Sequence, residues 1–136
     1  MGQPIDLDGL GAALQTSPFH RLLGLRLVRA EQGRVEIALP FREDLFANTD
    51  DPYIHGGVIA ALIDTAACFA VIAGVGRDVP TIDLRVDYFR PARREDLRAI
   101  GTMIKGGRTL AVADAEVVGA DGRVIAVGRG LFSTKE

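Results

Sequence analysis

Apolar residues along this chain recur with two different periods, and the change of period marks out its elements. Near the start, Ile5, Leu7, Leu10 and Leu14 stand at roughly helical spacing. They predict a short helix over Asp6 to Thr16 that Pro18 ends. Leu25 to Ala30 and Arg34 to Pro40 read as two strands joined at Glu31-Gln32-Gly33. In the second of these, Val35, Ile37 and Leu39 alternate with polar or small neighbours, the period of a half-buried strand. Phe41 to Ile54 carries the turn formers Asn48, Asp50, Asp51 and Pro52 and predicts a polar loop.

The period then returns to that of a helix over Val58 to Ala73. Val58, Ala61, Leu62, Thr65, Phe69 and Ile72 form one stripe, but Ile59, Ala60, Ala67 and Val71 make the other faces apolar as well. A helix apolar all round is expected to be buried all round. Asp64 is its one carboxylate. The run from Gly56 to Gly76 approaches the ~20 apolar residues of a membrane span. With Asp64 inside it and Gly74 and Gly76 closing it, a buried core helix is the expectation, with no membrane partner.

Past Val79 the period is that of strands. Ile82, Leu84, Val86 and Tyr88 alternate with Asp83, Arg85 and Asp87, and Asp96 to Ile104 follows. Lys105-Gly106-Gly107-Arg108 reads as a turn, Leu110 to Val118 as a strand, Asp121-Gly122 as a hairpin signal and Val124 to Ser133 as the last strand. The order is helix, two strands, one long helix, then three or four antiparallel strands. A sheet of this size buries such a helix by curling around it. The predicted class is α+β, a highly curved antiparallel sheet wrapped on one central helix. At 136 residues the chain fits one domain, 1–136, with residues 1–20 as an N-terminal helical extension.

Composition narrows the function. A net charge of −2 gives no reason to expect a nucleic-acid partner. A single cysteine, Cys68, allows no intrachain disulfide, and Met1 to Leu14 lacks the basic start and apolar block of a signal peptide. A cytoplasmic location is expected. Two histidines, His20 and His55, have no ligand spacing around them, so no metal is expected. Gly74-Val75-Gly76 lacks the rest of a dinucleotide-binding motif, and no cofactor is implied. Ser17 and Ser133 lie in no nucleophile elbow. Cys68 and His55, thirteen positions apart, make no dyad.

The candidate chemistry lies in His55-Gly56-Gly57 followed by Asp64. His-Gly-Gly stands where the loop becomes the long helix, whose first N–H groups have no partner within the helix. Glycine lets a ligand approach them closely. The amide of Gly56 or Gly57 can then polarise a carbonyl or hold an oxyanion. A carboxylate set into an apolar helix is costly to bury, which makes Asp64 a candidate nucleophile or general base. Eight residues at 1.5 Å each put Gly56 about 12 Å from Asp64 along the helix, too far to meet one carbonyl. Two antiparallel copies of the helix would bring Gly56 of one chain to Asp64 of the other. A two-fold homo-oligomer with shared sites is therefore expected.

With Thr81-Ile82-Asp83-Leu84 and Tyr88-Phe89-Arg90-Pro91 downstream, His-Gly-Gly and the acid nine residues past the histidine resemble the hotdog-fold thioesterase superfamily. The similarity is greatest to its phenylacetyl-CoA and hydroxybenzoyl-CoA thioesterase branch, and it runs from about Leu23 to Phe132. The resemblance implies hydrolysis of an acyl-CoA, with a small aryl or a short- or medium-chain acyl group, by a dimer or tetramer. It implies Asp64 as nucleophile or as base for water, and Gly56 as the N–H that polarises the thioester carbonyl. His55 would orient the loop or assist the leaving group, and Thr81 would help to position water. Relatives often carry Asn or Gln six residues before the histidine. Here that position is Thr49 and Asn48 lies seven before, so Asn48 is the nearest counterpart. Gly57 joins the substrate-binding set. Arg90, Arg93 and Arg94 are candidates for the coenzyme A phosphates, with Lys105 and Arg108 behind them. Phe19, Phe46, Phe69, Ala66 and Ala67 are candidates for an apolar acyl pocket. The competing expectations are a non-catalytic acyl-CoA or acyl-carrier binding protein, and a hydratase acting on enoyl thioesters. A binder has no need of the Asp64 carboxylate. A hydratase carries its acid on the loop before the helix.

Overall fold

The structure, a computed structural model, describes residues 6–136. Ile5, counted above with the first helix, lies outside the described residues. That helix, α1, spans Leu7–Leu14, with Asp6 as N-cap accepting from the Gly9 N–H at 3.0 Å. Pro18 does not end it. α1 stops at Leu14, and Pro18 opens a second helix, α2 (Pro18–Leu23), capped by the Ser17 hydroxyl and closed by Gly24 at φ 76°. Proline suits this place because a first-turn N–H has no helical partner to lose.

β1 (Arg26–Glu31) and β2 (Arg34–Leu39) form a hairpin around Gly33, whose φ of 76° favours glycine. α3 (Gly56–Val75) precedes four strands, β3 (Thr81–Tyr88), β4 (Leu97–Gly106), β5 (Leu110–Val118) and β6 (Val124–Ser133). The pairings are antiparallel and the spatial order is β1-β2-β4-β5-β6-β3. β3 therefore ends the sheet, paired to β6 on one side and without a strand on the other among the described residues, whereas α1 packs against β1 at the opposite end.

α3 is long and apolar enough to cross a membrane by composition, yet it forms the centre of this fold. Leu62, Ile63, Ala66, Ala67, Ala70 and Val71 are fully buried, against Ile37 of β2, Leu97 and Ala99 of β4, Ala113 and Val117 of β5, and Phe132 of β6. Small residues set the distance between helix and sheet. A side chain at Gly101 would collide with the Ala66 carbonyl, so β4 lies directly on the helix backbone there.

The expectation that α3 is buried all round does not hold. Gly57 is exposed, and Ala61, Asp64, Cys68 and Ile72 are half-buried, forming a strip at three- and four-residue spacing. The sheet ends at β3 before covering this side. Asp64 is thus half-buried within a single chain, not sealed in the core.

Candidate functional site

His55 is the N-cap of α3, held in extended geometry (φ −57°, ψ 133°). The loop before it is closed at its base. Phe46 bridges Ile54, the Ala47 N–H donates to the Tyr53 carbonyl, and the His55 N–H donates to the Leu45 carbonyl at 2.8 Å. Inside the loop, Asn48 Oδ1 accepts from the Asp51 N–H, three residues on, at 2.9 Å, and Asn48 is exposed.

The first N–H groups of α3 divide sharply. Gly57 N–H donates to His55 Nδ1 at 2.8 Å, and those of Val58 and Ile59 donate to the His55 carbonyl. The Gly56 N–H makes no hydrogen bond among the described residues. Of the two amides that the sequence left open, Gly56 is the free donor and Gly57 is committed to the histidine. A backbone N–H can only donate, so His55 Nδ1 accepts and the neutral ring carries its proton on Nε2. The ring is exposed, leaving Nε2–H available to a ligand.

The glycines differ in another way. A Cβ at Gly57 would stand 3.0 Å from His55 Nδ1, so this position is bare to make room for the ring. A Cβ at Gly56 would meet only the Tyr88 ring, at an ordinary 3.5 Å. Among the described residues no clash requires glycine there.

Two turns along α3, Asp64 Oδ1 accepts from the Thr81 hydroxyl at 2.8 Å. Thr81 opens β3, so the edge strand orients the carboxylate and leaves Oδ2 for another partner. One turn further, the Cys68 thiol donates to the Val79 carbonyl at 3.4 Å. Burial above all, then the charges of Asp64 and Asp78, push it up to about 12. Nucleophilic thiol chemistry needs the thiolate, and at pH 8 that form amounts to about one part in ten thousand. Cys68 should therefore resist iodoacetamide at pH 8 in the folded protein and react once the chain is unfolded, as peptide mass mapping would show. Rapid labelling of the native chain would contradict this placement.

The three arginines after β3 go to different partners. Arg93 pairs with Asp51 at 2.8 Å and donates to the Pro52 carbonyl, pinning the 48–54 loop. Arg94 pairs with Glu43 at 3.0 Å and lies over the Phe46 ring. Arg90 donates through Nε to the Val124 carbonyl at 3.0 Å. Of the residues proposed for an acyl pocket, Ala66 and Ala67 are fully buried under the sheet and Phe69 meets the His20 ring edge-on, while Phe19 is exposed. A depression of about 870 Å³ lies on the outer face of the sheet, among Ile100, Ile104, Val127, Leu131 and the Asp114–Arg129 pair. It does not border His55, Gly56 or Asp64.

In the sequence Tyr88 marks a strand end and opens Tyr88-Phe89-Arg90-Pro91, with no role in the site. Its hydroxyl donates to the Gly56 carbonyl at 2.6 Å. Strand alternation could have put Tyr88 on the helix-facing side, but the partner depends on β3 lying beside α3 at the end of the sheet.

Comparison with known proteins finds relatives over most of the chain. The thioesterase superfamily model matches residues 52–126, from the loop before His55 into β6. The medium/long-chain acyl-CoA thioesterase YigI of Salmonella typhimurium is 33% identical, with 80% of each chain covered. A Halobacterium salinarum protein named as an esterase is 38% identical over 93% of each chain. The solved structure of the phenylacetic acid degradation protein PaaI from Thermus thermophilus, in a mutant form, superposes with a TM-score of 0.78. It is 27% identical, with 86% of this chain and 98% of that one covered.

Proposed function

We infer the reaction from one premise: this chain belongs to the thioesterase superfamily, with the hotdog fold, and is a thioester hydrolase. Its substrate is an acyl-CoA, with a medium-length aliphatic acyl group. The observation that carries this reading is the free Gly56 N–H beside His55, together with a carboxylate, Asp64, held ready by Thr81. YigI, named for medium- and long-chain acyl-CoA, is the relative that favours an aliphatic group. The partly open strip of α3 continues past Asp64 to Cys68 and Ile72, an apolar bed for such a chain.

The site takes its two halves from two chains. β3 is a bare edge, and an exposed edge pairs readily with another strand. A two-fold axis near Leu84 and Arg85 would lay β3 antiparallel to its copy, bringing the Thr81 end of one chain to the Tyr88 end of the other. Asp64 of one chain then faces Gly56 and His55 of its partner, as the ~12 Å spacing along one helix requires. Asp64 acts as base. Through Oδ2 it takes a proton from a water that lies beside the Thr81 hydroxyl, and the water oxygen attacks the thioester carbon. The Gly56 N–H holds the developing oxyanion. The C–S bond breaks, and His55 Nε2–H donates toward the departing sulfur. A thiolate leaves readily, so no stronger acid is required. Arg90, Arg93, Arg94 and Asn48 supply the binding surface for coenzyme A in this reading.

The test is thiol release over octanoyl-, lauroyl-, phenylacetyl- and acetyl-CoA, wild type beside Asp64→Ala. Turnover fastest on octanoyl- or lauroyl-CoA and lost in the variant is expected. A preference for phenylacetyl-CoA would move the substrate to the aryl class. Turnover of none, with acyl-CoA still bound, would overturn hydrolysis of CoA esters.

A further inference from the structure

We propose that Tyr88 is a positioning residue of this site, acting through the Gly56–Gly57 peptide on both donors that face the substrate. The inference rests on the catalytic reading above and adds to it a group on β3. Tyr88 is half-exposed, and its backbone is set by pairing with Ala126 and by the donation of the next N–H, that of Phe89, to the Ile125 carbonyl at 2.8 Å. From this fixed base the ring lies against the Cα of Gly56 and the hydroxyl reaches the Gly56 carbonyl at 2.6 Å.

That carbonyl belongs to the same peptide unit as the Gly57 N–H. The hydrogen bonds therefore run in one chain, from the Tyr88 hydroxyl to the Gly56 carbonyl and from the Gly57 N–H to His55 Nδ1. Linked hydrogen bonds polarise one another, so a donor at the carbonyl strengthens the N–H at the other end of the amide. Two consequences follow for the site. The His55 ring is held as the tautomer with its proton on Nε2, aimed away from the helix. Residue 56, which carries the unpartnered N–H, is tied to the strand beside it. Glycine at 56 and 57 leaves this turn free to swing, and the Tyr88 hydroxyl is the tether that opposes the swing. A merely structural tyrosine would need no hydroxyl, because the ring alone covers Gly56.

The experiment compares wild type, Tyr88→Phe and Asp64→Asn on octanoyl-CoA, with His55 observed by two-bond proton–nitrogen correlation NMR. In the wild type His55 Nδ1 should be unprotonated and Nε2 protonated. In Tyr88→Phe the other tautomer should become populated, and kcat should fall about tenfold while KM changes less than twofold, the mark of an interaction made in the transition state. A wild-type His55 protonated on Nδ1 overturns the inference without any substitution. So does a Tyr88→Phe protein with unchanged kcat and tautomer, even if its Tm drops. In that event loss of turnover in Asp64→Asn leaves the catalytic reading standing. Turnover that survives Asp64→Asn removes the catalytic reading and this inference together.

Discussion

Asp64→Asn should lower kcat by about 10²–10⁴-fold, the range for removing a positioned general base. The change is isosteric and the amide can still accept from Thr81, so the fold and the strand contact should survive. KM should move little, because no substrate contact is lost. Stopped thiol release at saturating acyl-CoA measures this directly. A variant within threefold of wild type would show that Asp64 is an ordinary half-buried acid held by a strand hydroxyl.

Gly56→Pro should cost about 10²–10³-fold in kcat, the penalty for losing one oxyanion donor. The substitution deletes the N–H and little else. Position 56 is the first residue of α3, where proline is tolerated, and His55 already has the extended φ and ψ that a following proline demands. The added Cβ makes ordinary contact with Tyr88. Circular dichroism should therefore match wild type while turnover collapses. Mixing this chain with Asp64→Asn under conditions of subunit exchange tests where the site is built. In a mixed dimer one site has both lesions and the other has neither. An equimolar mixture should thus recover about a quarter of wild-type turnover if two-fold pairs share their sites. Mixed dimers that stay inactive would count against a site shared between two chains.

The parts of the fold that could be read from the sequence are those with a long, unambiguous period. A proline-free run that is apolar save for Asp64 and Thr65 gives α3, and alternation such as Ile82, Leu84, Val86 and Tyr88 gives the strands. α2 does not show in the sequence because Pro18 reads as the end of a helix. Ser17 before it and Gly24 six residues later mark the ends of a new one, but six residues are too few to show a period. The partial exposure of Asp64 is hidden from the sequence for a different reason. Apolarity on every side of α3 implies that something covers every side, but not that the same chain does so, and the sheet stops at β3. The pair His55-Gly56 and Asp64 stands out by spacing. Which glycine N–H is free depends on the histidine ring turning back onto Gly57, a choice of rotamer that no spacing records. Tyr88 was legible as a strand residue and illegible as a partner of Gly56, because that contact needs β3 to lie outermost, beyond β6, despite preceding it by more than thirty residues.

The two ends of β3 hold different things: Thr81 holds the acid and Tyr88 holds the turn with the free N–H. When two such strands lie side by side in opposite directions, each strand serves one site with its first residue and the other site with its last. Neither site then has a strand of its own. A single strand that slips by two residues in its pairing would displace the acid of one site and the amide of the other by the same step. Both sites in a pair would thus be in register together or out of register together, and a dimer with one sound site and one misaligned site has no geometry in which to exist.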